Sequence, residues 1–296
     1  MDKVVVVGGS GFMGSYVADE LTRRRFKVVN FDNTPSLWRQ SGQDEIVGDI
    51  RDEEQLLRAF DGARYVYHFA GIADISAARE DPRKAIESNV MGAVNAVEAC
   101  IESGVERFLY ASTMYVYSDR GSFYRATKQA AETLIESYYE HSGIKHTFLR
   151  YGSLYGPRSQ EWNGMRMYIK QVVEQGRVSY SGSGREKREY IHVRDAARLS
   201  VDVLERREES HAVIITGSQA LYSEELLKMI FEIAGVKEDV AFSSSDKQDF
   251  HYGLTPYRYT PKVAAKLTPA EFVDIGQGIL ELVEEAFREK TGQDAK

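Results

Sequence analysis

Tyr124 and Lys128 stand four residues apart in the run Tyr124-Arg125-Ala126-Thr127-Lys128, a spacing that sets both on one face of a helix. A tyrosine hydroxyl ordinarily ionises at about pH 10. A neighbouring ammonium favours the phenolate. That makes Tyr124 a candidate general acid or base at neutral pH. Lys128 would lower the tyrosine pKa. Ser112-Thr113 closes the preceding apolar run that starts at Arg107. Thr113 can bond an oxygen whose carbon loses or gains hydride. By itself the Tyr/Lys pair also fits a solvated helix face, so the rest of the chain decides its meaning.

The deciding stretch is the N-terminal one. Val4-Val5-Val6-Val7 is a β-branched run suited to a buried parallel strand. Gly8-Gly9-Ser10-Gly11-Phe12-Met13-Gly14 follows, and Gly9, Gly11 and Gly14 match G-x-G-x-x-G between a strand and a helix. Such glycines allow a tight turn, close approach of a pyrophosphate and close helix–sheet packing. The helix N-terminus adds free N–H groups and a partial positive charge. Asp32 lies 18 residues after Gly14, at the end of the run Val28–Asp32. A carboxylate there accepts from ribose hydroxyls and repels a 2′-phosphate, which points to NAD over NADP.

These residues must be carried by alternating elements. Val4–Val7, Val28–Asp32, Glu45–Gly48, Tyr65–Gly71, Arg107–Ser112 and Thr147–Tyr151 read as strands. Helical patterns lie between them, with long ones over Pro82–Ser103 and Tyr124–His141. The alternation predicts an α/β fold, a doubly wound parallel sheet of Rossmann type with helices on both faces. Asp49 either caps the helix Glu53–Phe60 or reaches the adenine edge of a cofactor. After Gly156-Pro157 the pattern loosens into Glu161–Gly176 (helix), Val178–Gly184, Arg188–Val193 (strand), Asp195–Glu205 (helix), Ala212–Thr216 (strand) and Ser223–Ala234, a helix with Ser223 as its N-cap. The segment Val240–Tyr259 is irregular and aromatic, and Phe272–Glu289 is amphipathic. Residues 1–157 therefore read as the NAD-binding domain, with 186–216 returning to its sheet. Residues 158–185 and 217–296 read as a smaller C-terminal substrate-binding lobe.

Composition narrows the classes. The chain has 296 residues and a formal charge of −7, with no long basic run, so nucleic-acid binding through a basic patch is not expected. Cys100 is the single cysteine, which rules out a disulfide within the chain and disfavours a cysteine metal site. No His/Asp/Glu cluster has metal-ligand spacing, so no metal is expected. His68 and His192 read as packed, hydrogen-bonded histidines. A strand begins within three residues of Met1 and no apolar run has membrane-span length. A cytoplasmic enzyme is the expectation.

Taken together, the chain resembles the extended short-chain dehydrogenase/reductase superfamily, in particular its NAD-dependent nucleotide-sugar epimerase/dehydratase family. The matching pieces are the glycine run, Asp32-Asn33, Gly48-Asp49, His68-Phe69-Ala70-Gly71, Asn89, Ser112-Thr113 with Val116-Tyr117, and Tyr124 to Lys128. To these add Leu149-Arg150-Tyr151, Tyr155-Gly156-Pro157-Arg158, and Arg188 with Tyr190–Val193 and Asp195. The resemblance implies NAD held by Gly8, Gly11, Phe12, Met13, Gly14, Asp32, Asn33, Asp49, Ile50, Phe69, Ala70, Gly71, Asn89, Ser112, Tyr124, Lys128 and Tyr151. It implies Thr113, Tyr124 and Lys128 as catalytic residues. A nucleotide sugar of UDP-hexose type is the implied substrate, oxidised transiently at carbon 4 and reduced from its other face. A homodimer through the two long helices is implied as well.

Three departures bear on the substrate. Met114-Tyr115 stands where family dehydratases carry an acidic pair, and the family's decarboxylases also use an acid nearby; both activities are disfavoured. The stretch Tyr117–Tyr124 is short. The diphosphate contacts are altered: the asparagine expected near the sixth strand is replaced within Tyr151-Gly152-Ser153, and Asp246-Lys247-Gln248-Asp249 lacks an arginine. Arg188 remains, and Arg158 or Arg258 would compensate, since a guanidinium suits phosphate. Phe242, Phe250, Tyr252, Tyr257 and Tyr259 either stack on a base or sugar or pack the smaller lobe. A dehydrogenase or ketoreductase with net hydride transfer is the alternative reading, and a non-catalytic NAD-binding protein the third.

Overall fold

The computed structural model describes residues 1–205, 212–218, 220–243, 254 and 256. The chain divides into the units Met1–Thr260 and Pro261–Lys296, and all described residues belong to the first. Arg258, residues 246–249, Phe250, Tyr252, Tyr257, Tyr259 and the expected helix 272–289 lie outside the described residues.

Among the described residues, seven parallel strands form the central sheet. In chain order they are β1 (Lys3–Val7), β2 (Lys27–Asp32), β3 (Gln43–Val47), β4 (Tyr65–His68), β5 (Arg107–Thr113), β6 (Lys145–Tyr151) and β10 (Ala212–Ile215). Their spatial order is β10-β6-β5-β4-β1-β2-β3, and every neighbouring pair runs parallel. The order reverses between β1 and β4. That is the point where a Rossmann sheet opens a crevice beyond its strand C-termini. The valines of β1 are wholly buried, as expected of a strand covered on both faces.

Helices cover both faces. On one, α1 (Phe12–Arg23) turns Phe12, Met13, Tyr16, Val17 and Leu21 toward the sheet and packs beside α8 (Val193–Asp202). On the other lie α2 (Glu53–Phe60), α5 (Gly92–Glu102) and α6 (Ser122–Ser142). Asp52, not Asp49, caps α2: its carboxylate accepts from Gln55 N at 3.0 Å. Asp49 instead pairs with Arg51 at 2.6 Å. The expected helix over Pro82–Ser103 is interrupted. It consists of α4 (Pro82–Ile86), a π-helical turn at Glu87–Met91, and α5. A short helix, α3 (Ile75–Glu80), precedes it and has no counterpart in the sequence reading.

The return of residues 186–216 to the sheet holds only for β10. The strand β9 (Lys187–His192) joins β7 (Ser153–Tyr155) and β11 (Ala220–Tyr222) in a separate three-stranded sheet. A second small core lies under α7 (Gly164–Gln175), β8 (Val178–Ser181) and α9 (Ser223–Ala234), built on Val172, Val178, Tyr180, Leu227 and Phe231. Phe242, in β12 (Val240–Ser243), sets its ring 5.9 Å from that of Tyr180. Ser223 opens α9 rather than capping it, because Tyr222 is the cap and Glu225 closes back on its N–H at 2.8 Å. His192 accepts from Arg194 N at 3.2 Å and so caps α8, a packed and hydrogen-bonded histidine as expected. His68 packs beside Phe108 and Tyr110, but among the described residues neither of its ring nitrogens has a hydrogen-bond partner.

Candidate active site

A cleft of about 990 Å³ opens beyond the C-terminal ends of β1, β2, β4, β5 and β6. The size suits a dinucleotide and a second ligand together. Its floor is the glycine turn. Gly8 has φ +83° and donates to Phe31 O at 2.7 Å, while Gly11 N–H turns back to Gly8 O at 3.1 Å. A Cβ on Gly8 would meet Ala70 N at 2.6 Å, and one on Gly14 would meet Gly8 O at 2.1 Å. Only hydrogen fits there, so β1, β4 and α1 close on one another and leave bare backbone facing the cleft. Gly11 is the N-cap of α1 and has no side chain to occupy the helix end, which leaves that end to an anion.

Asp32 ends β2 at the cleft rim. One carboxylate oxygen accepts from Ser10 N at 3.0 Å and the other from Thr34 N at 3.2 Å. These contacts fix the carboxylate beside the glycine turn, where further lone pairs remain for hydroxyl donors. The cradle and the acid together fit a dinucleotide with free ribose hydroxyls. Asn33, Asp49 and Ile50 line the same end.

Along the opposite wall Phe69, Ala70 and Gly71 continue from β4, and Ser112 and Thr113 end β5. Thr113 also accepts from Tyr115 N at 3.3 Å and starts the 3-10 turn Met114–Tyr117. Tyr124 and Lys128 reach the cleft from α6. Tyr115 meets Tyr124 edge to face, with centroids 6.0 Å apart. Lys128 is buried, donates to Ala111 O at 2.8 Å and lies 4.6 Å from the Tyr110 ring centroid. Burial pulls its pKa down to about 8, against the opposing pull of Glu132. Its ammonium is thus poised near neutral pH. Tyr151 lines the cleft, and its hydroxyl is paired with Ser200 at 2.7 Å; burial pushes its pKa up against the opposing pull of that hydrogen bond.

Two expected contacts are not in the cleft. Asn89 lies behind its wall, within the π turn. It accepts from Ile72 N at 2.7 Å and donates to Ile72 O and Thr127 Oγ1, each at 3.0 Å. Its amide braces the loop after Gly71 against α6 and so shapes the wall from behind. Arg158 turns away with φ +64°. Its guanidinium pairs with Asp19 at 2.9 Å and stacks on Tyr16 and Trp38. The substrate-side residues that do line the cleft are Ser153 and Arg188.

The sequence reading missed the wall made by Ile72–Ser76 and Lys84, and that made by Trp162, Met165 and Tyr168 near the start of α7. The first could have been found, because it directly follows the strand at the topological switch point. The second carries no local signal. Among the described residues no group of three or more metal-ligating side chains occurs, and no helix is long and apolar enough to cross a membrane.

Comparisons with known proteins agree with this geometry. Residues 4–216 match the model of the NAD dependent epimerase/dehydratase family. The chain is 25% identical over 268 residues to an uncharacterized UDP-glucose epimerase of Bacillus subtilis (strain 168), covering 81% of this chain and 85% of that one. It is 28% identical over 239 residues to UDP-glucuronate 4-epimerase 4 of Arabidopsis thaliana, covering 70% of this chain and 55% of the plant protein. Among solved structures, the UDP-glucose 4-epimerase of Thermus thermophilus in complex with NAD is 26% identical. It superposes with a TM-score of 0.75, covering 88% of this chain and 90% of that one.

Proposed function

The chain belongs to the NAD-dependent epimerase/dehydratase family, and on that premise we propose that it epimerises a UDP-hexose or UDP-hexuronate at carbon 4. The observation that carries the proposal is one of placement. Thr113, Tyr124 and Lys128 line the same cleft as the glycine turn and Asp32. Bound NAD supplies the acceptor and later the donor of the carbon-4 hydride. Tyr124 Oη takes the proton of the carbon-4 hydroxyl and afterwards returns one to the same oxygen. Lys128 holds positive charge beside that step, and Thr113 Oγ1 bonds the reacting oxygen. Asp32 holds the adenosine ribose, and Gly8, Gly11 and Gly14 let the pyrophosphate lie against backbone.

The substrate end belongs to the same proposal. Ser153 and Arg188 line it, and Arg188 offers a guanidinium to the diphosphate there; Arg158 is paired with Asp19 outside the cleft. The smaller lobe, on α7, β8 and α9, serves as the substrate-binding lobe. A homodimer through the helical stretch 82–102 and α6 is supported by the exposure of Met91 at the end of the π turn, Ile101 on α5 and Leu134 on α6; sedimentation would test it. A cytoplasmic location completes the reading.

Purified protein with NAD should convert UDP-glucose, or UDP-glucuronate, into a mixture with its carbon-4 epimer, with no net gain in NADH absorbance. Unchanged sugars in every arm would sink the substrate assignment. Net NADH formation would establish the dehydrogenase alternative.

A further inference from the structure

Behind the wall that carries Tyr124 and Lys128 lies a buried charge pair that the reaction as described does not use. Glu132 follows Lys128 by one helical turn on α6 and is buried. Its two carboxylate oxygens accept from Arg150 Nε at 3.0 Å and Nη2 at 2.6 Å. Arg150 projects from β6, its guanidinium 4.8 Å from the Tyr117 ring centroid, and its third nitrogen bonds the Tyr117 hydroxyl. Tyr117 ends the 3-10 turn that Thr113 begins. Gln129 Nε2 ties α6 to the same turn through Val116 O at 2.8 Å. None of Glu132, Arg150 and Tyr117 lines the cleft. A buried Arg–Glu pair contributes little that well-packed apolar residues would not, so stability alone gives no reason for it here.

We propose that Glu132, clamped by Arg150 and Tyr117, is a positioning residue that keeps Lys128 charged and fixes the Thr113 turn against the helix bearing Tyr124. The charge balance around Lys128 supports this. His68 from β4 lies near enough to be affected by it and is neutral, its pKa pushed down to about 3 by burial. From β5 come the Tyr110 ring and the Ala111 carbonyl. Tyr124 and Glu132 share its helix, and the Arg150 charge sits beyond Glu132, paired to it. Glu132 is the carboxylate in this set, and it opposes the burial that favours loss of the ammonium proton.

The test reads Lys128 directly, whether or not the chain epimerises anything. Competitive acetylation by acetic anhydride across pH, followed by peptide mass spectrometry of the full-length protein, gives the pH at which Lys128 loses its proton. In Glu132→Gln that midpoint should fall by on the order of one pH unit. In Arg150→Gln, which breaks the same pair but leaves the carboxylate, it should not fall. Should the single variants fail to fold, Glu132→Met/Arg150→Met replaces the pair with apolar packing, and the midpoint should again fall. An unchanged or raised midpoint once Glu132 is replaced, or a fall in Arg150→Gln, overturns the proposal; the latter would mark simple loosening of the wall. The part that rests on the epimerase reading is separate: the alkaline limb of turnover should move with the Lys128 midpoint, and activity without that coupling would count against the positioning role alone.

Discussion

Gly14→Ala is the most exacting perturbation of the cofactor cradle. The added methyl would sit 2.1 Å from Gly8 O and 2.8 Å from Gly8 C. Contacts between such atoms are comfortable only at about 3.5 Å, so α1 must retreat from the turn by more than about 1 Å. Both opposing atoms are backbone and cannot swing aside. Overpacking of this kind costs about 1–3 kcal/mol. Alanine in a helix returns up to about 1 kcal/mol over glycine. The ligand-free protein should therefore lose about 1–2 kcal/mol in urea unfolding. Retreat of α1 also spoils the pyrophosphate seat, so NAD should bind at least about tenfold more weakly, a loss of about 1.4 kcal/mol. The stabilisation normally added by saturating NAD should shrink accordingly. Gly11→Ala is the comparison, since its methyl would meet only Gly8 O, at 3.3 Å, and the ligand-free cost should be smaller. A Gly14→Ala protein as stable as its parent, with undiminished NAD binding, would refute the reasoning.

Other consequences are equally direct. Asp32→Asn keeps the size of the side chain and removes its charge, so the preference for NAD over NADP should narrow by about tenfold or more; an unchanged ratio in parallel titrations would deny Asp32 its discriminating role. Tyr124→Phe should lower turnover by about 10²–10⁴-fold while NAD affinity stays within a few-fold, and a fully active variant would remove Tyr124 from the reaction. His68 is held at about 3 when folded, against 6.5 for the free group. Because the unfolded chain binds this proton more readily, stability falls as pH drops from 6.5 toward 3, by roughly 5 kcal/mol in all. His68→Phe, an aromatic ring for the place beside Phe108 and Tyr110, should flatten that acid slope in urea unfolding followed against pH; identical slopes would show that His68 is not what sets it.

The cofactor half of the site was legible because its grammar is local. Four valines, a glycine turn and an acid at the next strand end are neighbours in the chain, and the sheet brings them together with no long-range choice. Thr113, Tyr124 and Lys128 were legible for a related reason, since a strand end and the first turns of the following helix face one crevice. Arg158 was not. Its sequence neighbours suggest a phosphate ligand, but the guanidinium is claimed by Asp19, Tyr16 and Trp38, partners 120 or more residues away. Asn89 lies behind the cleft wall and not along it, because it sits in a π turn, which leaves no mark in apolar spacing. The strand β9 was recognised, but which sheet it joins depends on the path of the chain and not on its composition. Asp49 was the candidate cap read from the sequence, but the cap is Asp52, three residues on; its backbone is extended (φ −101°, ψ 102°) and its carboxylate reaches the third residue of α2, a geometry that residue type alone does not reveal.

The central claim is that hydride leaves carbon 4 of the sugar and returns to it within one closed site. The most direct measurement uses UDP-glucose carrying deuterium at that carbon, incubated with the protein and NAD in ordinary water, with the epimer analysed by proton NMR. The account predicts a UDP-galactose product that retains deuterium at carbon 4. Product with protium there, drawn from solvent, would contradict it.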